Sequence, residues 1–195
     1  MLDAGQPSGL TSDLGVYDRI SREVLSEINR FLFENPKPTS IIGASLGGLY
    51  ASMAYGYSLT DQTEFESLNW IDSMVLTVAG GSLADVLSYS EQEGVIEQRK
   101  LRFEELNFDS VEDYSAELEK NIFYDPLKWA TPEARDHVLM FNSVNDDVVP
   151  SFTQEALWQA WGEPEIEYFS TNHPLSIARA YFLKVNRIDD FLNYW

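Results

Sequence analysis

One short motif combines the residue types of a turn that carries a nucleophile. Ser45 lies in Gly43-Ala44-Ser45-Leu46-Gly47, which matches the pattern G-x-S-x-G. A serine in a tight turn between a strand and a helix exposes its hydroxyl at the helix N-terminus, where backbone N–H groups and the helix dipole favour a developing anion. Glycines at 43 and 47 would relieve the crowding around it. We therefore predict a serine nucleophile; the alternative is that Ser45 only caps a helix and that the glycines allow close packing.

A serine nucleophile needs a general base, and the chain contains two histidines. His137 directly precedes a predicted strand, which is more typical of a residue at a strand edge. His173 lies in the segment 170–174, predicted as a loop just after the last strand. Since loops at the C-terminal ends of parallel strands open on one rim, His173 and Ser45 can meet there. The alternative for His173 is a solvated surface residue.

A carboxylate that orients the base is expected from the same rim. The segment 143–150 follows another predicted strand and offers Asp146 and Asp147. Both could instead be turn-forming residues before the next helix. The order of Ser45, then Asp146 or Asp147, then His173 along the chain is the order nucleophile, acid, base. These residue types in this order predict acyl transfer through a covalent acyl-enzyme.

Hydrophobic periodicity predicts the elements that would hold these residues. Residues 1–15 are predicted as an irregular arm, and residues 82–136 as a helical insert in which a helix starts at a capping box at Ser110. Strands are predicted at 39–43, 74–79, 138–141 and 166–169, and helices at 15–34, 46–57, 152–161 and 177–192. Strands that alternate with helices indicate one α/β domain over 1–195, with a mostly parallel sheet of about four strands and flanking helices.

Composition limits the functional classes. Asp and Glu number 32 against 13 Lys and Arg, a formal charge of −19, so the surface would repel nucleic acids and anionic membranes. Without cysteine, disulfides, thiolate nucleophiles and cysteine metal sites are excluded. The start lacks the features of an export signal, and no run of residues is apolar enough to span a membrane. We expect a soluble protein, cytoplasmic if Met1 is the native start and of unknown location otherwise.

Several of these segments together resemble an α/β-hydrolase of the esterase or lipase-like type. They are the motif within 41–48, the Asp-Asp-Val-Val-Pro loop at 146–150 and the late His173. The segment 124–127, Tyr-Asp-Pro-Leu, is similar to the end of a hydrolase lid insert. The resemblance covers about residues 16–195, and it implies the α/β-hydrolase fold with 82–136 as its lid.

The resemblance also implies roles for individual residues. In the family, the acid usually lies four residues before the proline of such a loop, which selects Asp146 over Asp147. The backbone N–H of Leu46, the residue after the nucleophile, would be one donor of the oxyanion hole. Aromatic residues of the 82–136 insert could line an acyl pocket, although ordinary packing of these rings against the core is an equally good interpretation.

The sequence departs from the family pattern ahead of the nucleophile. The family places several strands there, and a loop after one of them gives the second oxyanion donor, whereas 38 residues precede Thr39 in this chain. We therefore expect the C-terminal part of the fold, completed by further sequence, by another copy or chain, or by the 1–15 arm. Because an unpaired apolar edge strand favours association, we expect a homo-oligomer or pairing with a missing N-terminal half.

The leading interpretation is a serine carboxylesterase for short- to medium-chain esters that uses Ser45, Asp146 and His173, with neither a cofactor nor a metal. A thioesterase or amidase would use the same three residues. The alternative from another class is a non-catalytic hydrolase-like binding module or an inactive fragment of a longer hydrolase. A metal site at Asp146, Asp147 and His173 is weaker, since neither H-x-H nor H-E-x-x-H spacing occurs.

Overall fold

The computed structural model describes residues 13–195, so most of the predicted 1–15 arm lies outside the described residues. Within this range the strands form one parallel sheet, which confirms the predicted fold class. The strand order follows the chain: β1 (Thr39–Ala44), β2 (Ile71–Thr77), β3 (Val138–Ser143) and β4 (Glu165–Phe169).

Helices connect the strands and pack on both faces of the sheet. Before and after β1 lie α1 (Val16–Glu34) and α2 (Leu46–Ser58). The remaining α-helices of the described range are α3 (Leu83–Tyr89), α4 (Glu93–Leu106), α5 (Val111–Asn121), α6 (Pro126–Trp129), α7 (Ser151–Ala160), α8 (His173–Leu183) and α9 (Val185–Leu192). Short 3₁₀ helices at Glu66–Trp70 and Pro132–His137 lead into β2 and β3. No helix between residues 13 and 195 is long and apolar enough to cross a membrane.

The sheet separates two apolar cores of unequal size. The larger core lies under α1, α2 and the insert, and the smaller one lies between the sheet and α8 and α9. All residues of β3 are buried, because its run Val-Leu-Met-Phe is covered on both faces. In the smaller core, Phe141 and Phe169 stack with ring centroids 5.9 Å apart. These two cores fix the strand ends on which the site is built.

Strand β1 is an edge strand in the described part of the chain, with β2 as its neighbour on one side. The backbone N–H of Ser45, directly after β1, donates to Thr77 O on β2. Since alternate residues of a strand bond to opposite sides, the backbone groups of Ser40, Ile42 and Ala44 point away from β2. The Ile42 side chain is 43 % exposed on the face of the smaller core. Within residues 13–195, no strand pairs with this apolar edge of β1.

The 82–136 insert is helical, as predicted, and polar caps attach it to the rest of the domain. Ser110 Oγ accepts from Asp113 N at 3.0 Å, so α5 starts with the predicted cap. Asp18 of α1 accepts from the backbone N–H of Phe123 and of Tyr124. Near the end of the insert, the buried Asp125 accepts from the N–H groups of residues 83 and 127; burial raises the pKa of this carboxyl, and the two N–H donors oppose that shift.

The aromatic side chains of the insert pack on one another and on the core. Phe103, Phe108 and Tyr114 form one cluster, with ring centroids 5.3 to 5.8 Å apart. A second cluster surrounds Trp129, whose ring contacts those of Tyr57, Phe123 and Tyr124. Both arrangements agree with the interpretation of these rings as ordinary packing. They stabilise the contact between the insert and the sheet-covering helices.

The C-terminal region differs most from the prediction. The sequence predicted one helix at 177–192 and a loop at His173, whereas α8 begins at His173 and a break at Lys184 separates it from α9. The helix starts early because the Asn172 side chain caps Leu175 N and Pro174 occupies the first turn, where its missing N–H costs nothing. The second strand was predicted at 74–79 but ends at Thr77, since Val78 takes a φ of 45° that a strand does not allow.

Candidate active site

Ser45 occupies a strained turn between β1 and α2. Its φ of 53° and ψ of −126° lie in a region that non-glycine residues rarely adopt, at a cost on the order of 1–3 kcal/mol. Two backbone hydrogen bonds hold the turn: Ser45 N donates to Thr77 O at 2.9 Å, and Leu49 N donates to Ser45 O at 3.1 Å. The first joins the turn to β2 and the second belongs to α2. The hydroxyl is consequently fixed at the N-terminus of α2.

The structure brings Ser45, His173 and Asp146 into one chain of hydrogen bonds. His173 Nε2 lies 2.9 Å from Ser45 Oγ, and His173 Nδ1 lies 2.7 Å from Asp146 Oδ2. Because an ionised carboxylate can only accept, Nδ1 carries the hydrogen and the lone pair of Nε2 faces the serine hydroxyl. This is the tautomer that a general base for Ser45 requires. The three predicted residues thus have the geometry of a nucleophile, a base and an orienting acid.

The loop after β3 distinguishes the two candidate acids. The Asp146 side chain is fully buried, and its Oδ1 accepts from Val148 N at 3.0 Å and Val149 N at 2.9 Å. Its Oδ2 accepts from His173 and also from the side chain of Gln154. Asp147 is exposed, and its backbone carbonyl accepts from Glu91 N. The geometry therefore selects Asp146 as the partner of His173.

The other histidine lies at the opposite end of the sheet. His137 ends the 3₁₀ helix that precedes β3, whereas the three residues of the hydrogen-bonded chain follow the C-terminal ends of β1, β3 and β4. Its Nδ1 lies 2.8 Å from Asp72 O, and its ring stacks on Trp195. His137 accordingly packs where β3 starts, as expected of a residue at a strand edge.

Leu46 is the first residue of α2 and is half exposed. The first N–H groups of a helix have no acceptor within the helix, so the Leu46 N–H is available to an oxyanion that forms on a group bonded to Ser45 Oγ. Between residue 13 and β1, α1 is the one regular element. In the α/β-hydrolases that the sequence resembles, a strand and loop before the nucleophile give the second donor of the oxyanion hole. The described residues contain no counterpart of that strand and loop.

The glycines of the motif have different structural roles from those predicted. A Cβ built on Gly43 would clash with the carbonyl group of Gly47 and lie 2.6 Å from Gly48 Cα. A Cβ on Gly48 would lie 2.7 Å from Ala79 Cβ, whereas one on Gly47 would meet nothing within 4 Å. The expectation that Gly47 relieves crowding around the serine is therefore wrong. Gly43 and Gly48 are the positions at which β1, α2 and the chain after β2 come too close for a side chain.

Two residues lie near the site although the sequence did not predict them there. Val78 is fully buried with a φ of 45°, and its N–H donates to Phe141 O at 2.7 Å. Gln154 is fully buried in α7 and contacts the Asp146 carboxylate. A valine after a strand and a glutamine in an early helical turn are ordinary residues, so neither gives a sequence signal.

Among residues 13–195, no three His, Asp or Glu side chains are placed to hold a metal ion.

Comparison with known proteins defines the fold. No family model matches the sequence, and no curated protein matches it by sequence. Among solved structures, the chain is similar to an acylaminoacyl peptidase from Pyrococcus horikoshii, with 15 % identity and a TM-score of 0.54 over 89 % of this chain and 27 % of that one. Esterase 2 from Thermogutta terrifontis, phosphonylated by sarin, gives 16 % identity and a TM-score of 0.54 over 88 % and 64 % of the two chains.

An esterase from Pyrococcus furiosus is similar at 15 % identity, with a TM-score of 0.51 over 99 % of this chain and 66 % of that one. This protein has the α/β-hydrolase fold, as the sequence resemblance implied. The chain spans about a quarter of the peptidase and slightly less than two thirds of each esterase. Identities this low define the fold, and the activity has to be argued from the site.

A pair of alanine substitutions tests the packing of the turn. Gly43→Ala should lower the free energy of unfolding by about 1–3 kcal/mol, because its Cβ meets backbone atoms that cannot move aside. Gly47 lies in α2 with open space around a new Cβ. Gly47→Ala should therefore leave the free energy of unfolding unchanged or raise it by up to about 1 kcal/mol. Urea denaturation of both variants measures the difference. Equal stability of the two variants would contradict the described packing.

Proposed function

We propose that this protein is a serine hydrolase that cleaves carboxylic esters with short to medium acyl chains. The observation that carries this proposal is the hydrogen-bonded chain from Ser45 through His173 to the buried Asp146, on a strained turn at a helix N-terminus. Strain of this kind persists only where the surrounding structure enforces it and is concentrated at functional sites. In this proposal residues 1–195 form one domain, with the 82–136 insert as its lid.

The reaction follows from the positions of these atoms. His173 Nε2 takes the Ser45 proton as Oγ attacks the ester carbonyl, and the carbonyl oxygen becomes an oxyanion beside the Leu46 N–H. His173 then returns the proton to the leaving alkoxide, which departs as the alcohol. Water attacks the acyl-enzyme with His173 again as base and releases the acid. Asp146 keeps the imidazole in the required tautomer and stabilises the imidazolium.

Esters fit the site better than amides do. Loss of one oxyanion donor lowers kcat by about 10²–10³ where it has been measured, and the Leu46 N–H is the donor assigned in the described residues. An ester has the better leaving group and requires less stabilisation of its oxyanion than an amide. Two of the similar structures are named esterases and one is a peptidase, which supports acyl transfer in general. Thioesters share the acyl-enzyme and would be accepted by the same chemistry.

Substitution of the proposed catalytic residues tests this activity. Ser45→Ala and His173→Ala should each abolish the hydrolysis of p-nitrophenyl butyrate. Asp146→Ala should lower kcat by about 10⁴, the loss that follows when the base is no longer oriented. Asp147→Ala removes an exposed carboxylate from the same loop and serves as the matched control, with activity expected to remain. A larger loss from Asp147→Ala than from Asp146→Ala would overturn the assignment of the acid.

Covalent labelling separates an enzyme from a non-catalytic binding module. A fluorophosphonate probe should label the folded wild-type protein at Ser45, because a base-activated serine attacks phosphorus as it attacks a carbonyl carbon. Ser45→Ala should remain unlabelled, and peptide mapping by mass spectrometry identifies the modified residue. A folded wild-type protein that stays unlabelled would refute the esterase proposal and favour the binding module.

For the open edge of β1 we propose a second copy of this chain as the partner. The outward backbone groups of Ser40, Ile42 and Ala44 can pair with another strand, and the exposed Ile42 gives the edge an apolar side chain. Residues 35–60 and 170–188 contain none of the 32 Asp and Glu residues. Strand β1 and the segments on either side of it therefore bring no carboxylate of their own to this contact.

Sedimentation velocity tests this association. The isolated protein should form dimers as its concentration rises, more readily at higher salt, because screening weakens the repulsion between two acidic molecules. Ile42→Lys should shift the equilibrium to monomer, since an edge lysine opposes strand pairing. Leu101→Lys, at a similarly exposed leucine of α4, is the control and should leave the dimer unchanged. A stable monomer at the highest concentrations would contradict the proposal.

A further inference from the structure

Gln154 lies in α7 with its side chain fully buried behind the acid of the site. Its Nε2 donates to Asp146 Oδ2 at 3.1 Å and to Val149 O at 2.7 Å. Its Oε1 accepts from Ser143 N at 2.9 Å. Both amide hydrogens and the amide oxygen are therefore engaged, which fixes the orientation of the amide group. The side chain joins the end of β3 and the acid-bearing loop to α7.

The hydrogen bond to Asp146 differs from the others that this carboxylate accepts. Two backbone N–H groups, from Val148 and Val149, hold Oδ1 within the loop itself. Oδ2 accepts from two side chains, His173 Nδ1 at 2.7 Å and Gln154 Nε2 at 3.1 Å. Gln154 therefore acts on the same oxygen that orients the base. A substitution at Gln154 would remove a donor to that oxygen without replacing any residue that would touch a substrate.

We propose that Gln154 is a positioning residue that directs Asp146 Oδ2 at His173 and moderates the negative charge that His173 experiences. The inference rests on the proposed function. The amide N–H restrains rotation of the carboxylate about its Cβ–Cγ bond and withdraws part of the charge of Oδ2. Without the hydrogen bond from Gln154, the Asp146 carboxylate is less well oriented. It is also a stronger acceptor, which favours the protonated form of the imidazole.

Two apolar variants of different shape separate this role from simple packing. Gln154→Met keeps a buried side chain of similar length but loses every amide contact. Gln154→Leu loses the same contacts and has a branched side chain in place of a linear one. An effect that both variants share therefore follows from the lost amide contacts, among them the donation to Asp146 Oδ2, and not from side-chain shape. Thr153→Val is the matched control, because Thr153 is buried in the same helical turn and its Oγ1 donates to Pro150 O rather than to the acid.

Steady-state kinetics over a range of pH gives the first measurement. Both Gln154 variants should lower kcat by about 10- to 100-fold, the effect of losing one hydrogen bond to a charged group, with little change in KM. The acidic limb of the pH–rate profile should move to higher pH, because His173 holds its proton more strongly. Thr153→Val should leave the position of that limb unchanged. If the Gln154 variants are less stable but keep the wild-type profile, the role of Gln154 is structural and the proposal is wrong.

Proton NMR tests the same inference without any activity. The hydrogen between His173 Nδ1 and Asp146 Oδ2 should give a resonance far downfield in the folded wild-type protein, and both Gln154 variants should shift or broaden it. Thr153→Val should leave the resonance in place. If the wild type shows this resonance but has no esterase activity, the proposed function fails while Gln154 can still be tested. A resonance that is identical in wild type and both variants would overturn the positioning role.

Discussion

The Asp146 carboxylate is a charge buried inside an acidic protein, and its hydrogen bonds determine how the surrounding elements meet. A buried carboxylate is tolerated only when its oxygens are fully hydrogen-bonded. Here four N–H donors supply this, two from the loop after β3, one from α7 and one from the first residue of α8. The end of β3 and the starts of α7 and α8 therefore converge on one group. The position of His173, and through it the approach to Ser45, follows from that convergence.

The turn at Ser45 depends on a different constraint, the close approach of backbone segments. Strand β1 has a single neighbour in the described residues, so the strained turn is held by β2 and α2. Gly43 and Gly48 allow this approach because neither position has room for a Cβ. Ala79 Cβ fills the remaining space against Gly48, just after the strained Val78. Packing of β1, α2 and the chain after β2 thus supports the unfavourable backbone angles of one serine.

Much of this arrangement could be predicted from local patterns, because apolar periodicity and the G-x-S-x-G motif depend on nearby residues. The alternation of strands and helices, the helical insert and the cap at Ser110 all belong to this class. The helix start at His173 was missed, although Asn172 and Pro174 are its signal, since the predicted apolar stripe began later at Ile177. Gln154 and Val78 could not be predicted, because their roles arise from contacts between segments that are distant in the sequence.

The distribution of charge along the chain bears on the chemistry as well as on association. In the proposed reaction, attack of Ser45 on an ester would create a negative charge, and carboxylates close to it would raise the energy of that intermediate. The segments 35–60 and 170–188, which carry Ser45 and His173, contain no Asp or Glu in a chain with 32 of them. Asp146 faces the His173 imidazole, which would become positively charged in the same step of the proposed reaction. The segments with Ser45 and His173 therefore bring no carboxylate of their own to the proposed oxyanion, and the segment of β1 brings none to its open edge.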